Sequence, residues 1–242
     1  MTEKKKKSGR KGARDLHVRV KTAKGRRTSS TRWLQRQLND PYVIAAQREG
    51  FRSRSAYKLQ ELDDRFHFLK PGARIIDLGA APGGWTQISV ERVGTAGKVV
   101  AADVSEMDPV AGAECLQLDV FAPDTIERLR ELLGGDADVI LSDMAAPSTG
   151  HQQTDHLRIM GLCEAALDVA IQLMTPGGAF VAKVLQGGTE QELLALLKRN
   201  FRSVRHAKPE ASRKDSAEMY VVALDFKGHS TDPALDPEEE ES

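Results

Sequence analysis

Large apolar residues are sparse up to residue 30, and from residue 31 they recur in two distinct rhythms. Trp33, Leu34 and Leu38, then Tyr42, Val43, Ala46 and Phe51, predict one or two short helices around Asp40-Pro41. Leu59, Leu62, Phe66 and Leu69 form the apolar stripe of a further helix, with Ser55 placed to cap it and Pro71-Gly72 to stop it.

Beyond this point short apolar runs alternate with helical patterns. Strands are predicted over residues 74–78, 98–102, 115–118, 137–141, 179–184, 203–207 and 218–225. Helices are predicted from the glycine-rich turn to about Val93, then over 125–133, 156–174 and 190–200, the third ended by Thr175-Pro176-Gly177-Gly178. Strands separated by helices predict an α/β fold, with a seven-stranded, mostly parallel sheet covered by helices on both faces. The domain reading is a basic arm over 1–30, expected to be disordered alone, and a short helical extension over 31–54. A catalytic domain over 55–228 and an acidic tail over 229–242 complete it.

Charge sharpens this division. The formal net charge is zero, but residues 1–54 hold 17 Lys/Arg against 4 Asp/Glu, whereas residues 229–242 hold 6 acids and no base. Such a basic arm suits a phosphate backbone, and Arg202, Arg205, Lys208, Arg213 and Lys214 form a second basic cluster. Trp33, Tyr42 and Phe51 beside the arm read as core residues. Cys115 and Cys163 lie in apolar segments without CxxC spacing and read as small buried hydrophobes, so no disulfide framework is expected. Lys4 to Lys7 have no apolar run behind them, and no stretch is long enough to span a bilayer, which predicts a cytoplasmic, non-membrane protein.

Candidate chemistry sits at predicted strand ends, where open α/β sheets bind ligands. The first strand runs into Asp77-Leu78-Gly79-Ala80-Ala81-Pro82-Gly83-Gly84-Trp85, whose glycines let backbone approach a ligand closely. The spacing is neither GxGxxG nor that of a phosphate loop. Asp103 ends the second strand, where an acid can take both ribose hydroxyls, and Asp119 follows the third, within reach of an adenine amine. An adenosine bearing an amino-acid tail fits this set without a pyrophosphate. Asp143 ends the fourth strand in Leu141-Ser142-Asp143-Met144-Ala145-Ala146-Pro147. Lys183 lies inside the apolar strand Phe180-Val181-Ala182-Lys183-Val184-Leu185, a costly place for a charge unless it is paired or neutralised. Lys58 and Glu218, taken singly, read as solvated charges. His151, Asp155 and His156 imitate a metal cluster but lack a third ordered ligand, so a loop or helix-start role is expected and no metal. Ser148 and Ser212 lack a nucleophile-elbow context, which disfavours hydrolase chemistry.

At these residues the sequence resembles the FtsJ/RrmJ family of ribosomal RNA 2′-O-methyltransferases, of the bacterial type. The resemblance runs over about residues 53–226 through RSRSAYKL, DLGAAPGGW, SDMAAP, AKVLQG and SRKDSAEMYVVA, in order and spacing; Ala146 departs from the usual bacterial pattern. It implies a Rossmann-like class I methyltransferase fold and a Lys-Asp-Lys-Glu tetrad falling on Lys58, Asp143, Lys183 and Glu218. It implies an S-adenosylmethionine site including Gly83, Trp85, Asp103, Asp119 and Asp143. The implied substrate is a uridine ribose in 23S rRNA, within the large ribosomal subunit, and a monomeric enzyme is expected. In this reading Lys183 is the base, Asp143 orients it and meets the cofactor, and Lys58 and Glu218 support them. A neutral lysine is needed to accept a hydroxyl proton, and the apolar strand around Lys183 is expected to supply a low-dielectric setting. Alternatives are methylation of tRNA or of an mRNA cap, a small-molecule methyltransferase, and a non-catalytic RNA-binding assembly factor. No cap-binding module is evident, the basic arm counts against a small substrate, and a pure binder has no need of Lys183.

Overall fold

The computed structural model describes residues 28–186 and 191–228. The expected disordered arm falls outside these residues up to position 27, and the acidic tail falls outside them entirely. A boundary between Ala45 and Ala46 separates the described residues into two compact units. The first contains helix α1 (Thr28–Leu38) and the start of α2 (Pro41–Glu49).

The second unit has, in chain order, α3 (Ser55–Phe66), β1 (Arg74–Leu78), α4 (Gly84–Val93), β2 (Lys98–Asp103), β3 (Glu114–Gln117), α5 (Thr125–Leu133), β4 (Ala137–Ser142), α6 (Gln152–Leu173), β5 (Met174–Leu185), α7 (Gln191–Asn200), β6 (Phe201–Ala207) and β7 (Glu218–Phe226). The seven strands form one sheet in the order β3-β2-β1-β4-β5-β7-β6. Only β7 runs against its neighbours, so the sheet is mostly parallel, as its sequence predicts.

Fully buried strands of a parallel sheet need apolar residues on both faces, and Ile75, Ile76, Val99, Val100, Val139 and Ile140 supply them. One face packs Leu129, Met160, Cys163, Leu167 and Leu197 from α5, α6 and α7. The other packs Leu59, Leu62, Trp85 and Ile88 from α3 and α4. Cys163 is buried as expected; Cys115, on the narrow strand β3, is only partly buried.

Three boundaries differ from the sequence reading by more than two residues. Helix α3 ends at Phe66, short of Leu69, because His67 takes a left-handed conformation (φ 55°) and its N–H donates to Asp63 O at 2.7 Å. The buried Asp63 carboxylate then accepts Leu69 N at 2.8 Å, fixing the turn. Helix α6 begins a turn earlier than residue 156. The Asp155 carboxylate accepts Ser148 Oγ at 2.6 Å and Thr149 N and Oγ1 at 2.7 Å, folding the preceding loop onto the first turn. This confirms the helix-start role of Asp155. Residues 175–178 are drawn into β5 instead of standing apart as a helix stop. Thr175 Oγ1 donates to Ala137 O at 3.2 Å, and the pairing of β4 with β5 shifts register between Ala137 and Val139, so the proline and glycines form an irregular stretch within the strand.

Candidate active site

The parallel order places the ends of β1, β2, β4 and β5 along one edge of the sheet, and the tetrad assembles there. Lys58 comes from the first turns of α3, Asp143 directly follows β4, Lys183 lies on β5 and Glu218 opens β7. In the antiparallel ladder Lys183 pairs with Tyr220 and Leu185 with Glu218, so these four side chains share one face of the sheet. Lys183 Nζ lies 2.6 Å from Asp143 Oδ1, 2.9 Å from Asp143 O and 3.7 Å from Glu218 Oε2. Lys58 Nζ lies 2.7 Å from Glu218 Oε1. The side chains of the four residues are only 10–15% exposed.

Two lysines and two carboxylates thus interleave into a compact, charge-balanced group. Around Lys183 the strand neighbours Val181, Ala182 and Val184 are buried, and its Nζ is paired with Asp143 and Glu218.

Two further residues complete the group, and the sequence reading assigned neither to it. Tyr220 Oη donates to Asp143 Oδ1 at 2.8 Å and accepts from Lys58 Nζ at 3.2 Å. Burial, with Asp143 and Glu218 adding to it, pushes the Tyr220 phenol well above its ordinary value, so it remains a hydrogen-bond donor at neutral pH. Its strand position two residues after Glu218, on the same face, is the signal that could have found it. Ser55 is not the cap of α3, because Arg54 holds that place, with no side-chain capping bond among the described residues. Ser55 Oγ instead donates to Asp143 Oδ2 at 2.6 Å, and its carbonyl accepts Trp85 Nε1 at 2.9 Å. Burial would raise the Asp143 carboxyl, but Lys183, Lys58 and these hydrogen bonds outweigh it and hold the group below the usual carboxylate range. Asp143 therefore stays an anion, with both oxygens engaged.

This arrangement makes a testable distinction. Ser55→Ala is expected to slow the reaction at this group about tenfold, the effect of losing roughly 1.4 kcal/mol of orientation at Asp143. A capping role would instead lower the unfolding midpoint with no change in rate, which denaturation alongside kinetics separates.

Beside the group, on the β1–β2 side, lies a cavity of about 540 Å³. Its lining includes Gly79, Asp103, Phe121, Asp143 and Met144, with Asp119 at its exposed margin. Gly79 sits at φ 72°, and a Cβ there would come within 2.7 Å of Met144 Cα, so glycine is required where the β1 and β4 loops meet. Asp103 accepts Ala81 N at 3.0 Å and Ser105 N at 2.7 Å, and Asp119 accepts Phe121 N at 3.0 Å, so backbone fixes both carboxylates. Among the described residues the lining has three acids and no Lys or Arg. Such walls repel a polyphosphate and favour a cation carried on an apolar, hydroxyl-bearing body.

Gly83 and Trp85 do not line this cavity. Gly83 precedes α4 at φ 107°. Trp85 is 2% exposed and packs on Tyr220 with ring centroids 5.5 Å apart, so its side chain braces the tetrad. Of the basic cluster, Lys208 Nζ donates to Ser216 O at 2.6 Å and ties down the loop before β7, whereas Arg202 and Arg205 are exposed on the edge strand β6. No group of His, Cys, Asp or Glu fit to hold a metal occurs among the described residues. No helix among them is long and apolar enough to cross a membrane.

The family model of the FtsJ-like methyltransferases matches residues 51–226. "Ribosomal RNA large subunit methyltransferase E" of Parvibaculum lavamentivorans is 60% identical, over 96% of this chain and 95% of that protein. The protein of the same name from Paramagnetospirillum magneticum is 63% identical, over 90% of this chain and 92% of its own. Among solved structures, a Plasmodium falciparum protein described as a ribosomal RNA methyltransferase superposes with a TM-score of 0.66 at 31% identity, covering 74% of this chain and all of that one. A tetrad built from four separate elements, the acidic cavity beside it and matches over most of the chain agree: the chain belongs to the FtsJ-like methyltransferase family.

Proposed function

We propose that the chain transfers a methyl group from S-adenosylmethionine to the 2′-hydroxyl of a uridine ribose in 23S rRNA of the large ribosomal subunit, acting as a cytoplasmic monomer. The observation that carries this reading is the position of Lys183, whose Nζ sits between Asp143, a lining residue of the acidic cavity, and Glu218. The names of the relatives, methyltransferases of large-subunit ribosomal RNA, support the substrate class.

The cavity residues suit this cofactor. Asp103 would hold the ribose hydroxyls, Asp119 with its neighbouring backbone the adenine amine, and Asp143 the region of the cation. S-adenosylmethionine, when bound, supplies an electrophilic methyl carried on a sulfonium. The residues of the chain do the rest. Lys183, neutral once its ammonium has released a proton to solvent, accepts the proton of the 2′-hydroxyl as the oxygen attacks. Asp143, held by Tyr220 and Ser55, keeps Lys183 aimed, and its negative charge balances the resulting ammonium. Lys58 and Glu218 fix the acceptor side through their 2.7 Å pair. Fixed positioning of the two reactants contributes several kcal/mol by itself.

Asp103→Ala and Asp119→Ala are each expected to weaken S-adenosylmethionine binding without loss of fold, as read by titration calorimetry. Removing a charged hydrogen-bonding group costs roughly 1.5–3 kcal/mol, about a tenfold to hundredfold loss of affinity. Heat from NAD or ATP with none from S-adenosylmethionine would overturn the assignment.

A further inference from the structure

A second cavity, of about 620 Å³, opens at the same edge of the sheet and has no part in the reading so far. Its walls are Gln152, His156 and Leu157 from the start of α6, Leu185 and Gln186 at the end of β5, and Ala217 just before β7. The strand order sets its place. The cofactor cavity lies over the ends of β1, β2 and β4, Asp143 and Lys183 follow, and this cavity comes next, over β5 and β7. Leu185 is two residues past Lys183 and faces Glu218 in the ladder, and Gln186 N donates to Ala217 O at 2.5 Å. The cavity begins where the tetrad ends, on the side away from the methyl donor.

Its chemistry differs from that of a phosphate site. Among the described residues no Lys or Arg lines it, and the one acid among them, Asp155, has both oxygens engaged by Ser148 and Thr149. Leu157, 62% exposed, and Leu185 offer apolar surface. Gln152, Gln153 and Gln186 offer amides, each with donors and acceptors on one side chain. A flat base whose edge alternates donors and acceptors matches both features, because its faces take apolar contact and its edge takes amide hydrogen bonds.

From this geometry we infer that the cavity beside Leu157 and Gln186 receives the pyrimidine base of the acceptor nucleotide, turned out of its RNA so that its 2′-hydroxyl meets Lys183. The inference rests on the RNA methyl-transfer reading and adds to it where selection of the base takes place. The backbone phosphates then lie outside this cavity.

The test uses the full chain and large ribosomal subunits lacking the modification, carrying either uridine or cytidine at the mapped acceptor position. The wild type is expected to prefer uridine. Gln186→Ala and Gln152→Ala are expected to reduce that preference about tenfold, and Leu157→Trp, which fills the cavity, to lower kcat/KM about tenfold or more. Leu157 and Gln186 are exposed, so these variants retain the fold, and calorimetry is expected to show unchanged affinity for S-adenosylmethionine. An active wild type whose variants keep both the uridine preference and kcat/KM overturns the base site alone. A wild type that methylates neither subunit overturns the reading of function, and the base site falls with it.

Discussion

Lys183→Ala is expected to lower the single-turnover rate of methyl transfer by about 10²–10⁴, the usual cost of losing a general base, with misplacement of the hydroxyl adding to it. The Lys183 Nζ is held at 2.6 Å by Asp143 Oδ1 and at 2.9 Å by Asp143 O, so no nearby side chain substitutes for it without rebuilding the site. Asp143 keeps its bonds from Tyr220 and Ser55 in the variant, and Lys58 remains close, so the carboxylate is not left without compensation. The fold and most of the cofactor affinity are therefore expected to persist, which circular dichroism and calorimetry check. Lys183→Arg is expected to be nearly as damaging, because a guanidinium holds its proton and cannot accept another. Near-normal rates in the arginine variant would make Lys183 a positioning group and send the proton elsewhere.

Asp77→Asn is expected to stabilise the protein at alkaline pH and to do little at acid pH. Asp77 lies on β1, fully buried, with Oδ2 accepting Thr86 Oγ1 at 2.7 Å and Oδ1 without a partner among the described residues. Burial pushes its carboxyl up to about 7; the Thr86 bond opposes this, and Asp143 and Asp103 add to it. In the unfolded chain the same group titrates near ~3.9. Between these values the folded state holds a proton that the unfolded state has lost, so stability falls as pH rises from about 4 to about 7 and levels off above. A shift of this size corresponds to a cost on the order of 4 kcal/mol at pH 8, which the neutral amide removes, less the cost of its own unpartnered N–H. Urea denaturation at pH 5 and pH 8 reads it: the gap between variant and wild type widens with pH. An equal gap at both pH values would show that Asp77 does not titrate in this range.

The seven strands were legible because they are written in local signals, whereas Lys58 and Glu218 carried no local signal and entered the tetrad only through the family resemblance. Apolar runs such as residues 137–141 mark buried parallel strands, and a lysine in an apolar strand marks itself. What escaped depends on contacts between distant segments. Ser55 looks like a helix cap in its own neighbourhood, and only the packing of α3 against the end of β4 turns its hydroxyl to Asp143. Tyr220 had no role assigned from the sequence, and it is the pairing of β7 with β5 that sets it opposite Lys183. Trp85 shares a motif with cavity residues, yet the first turn of α4 directs its ring into the core. Pro176 and the glycines beside it signal a break in any single-sequence reading, and pairing along β4 overrides that signal.

Methyl transfer from labelled S-adenosylmethionine to large ribosomal subunits lacking their modifications, followed by mapping of the labelled nucleotide, tests the central claim most directly. The account predicts label on the 2′-oxygen of a single uridine in 23S rRNA with the wild type, and none with Lys183→Ala. Label on a base, on tRNA or on a capped end, or equal labelling by the Lys183→Ala variant, would contradict it.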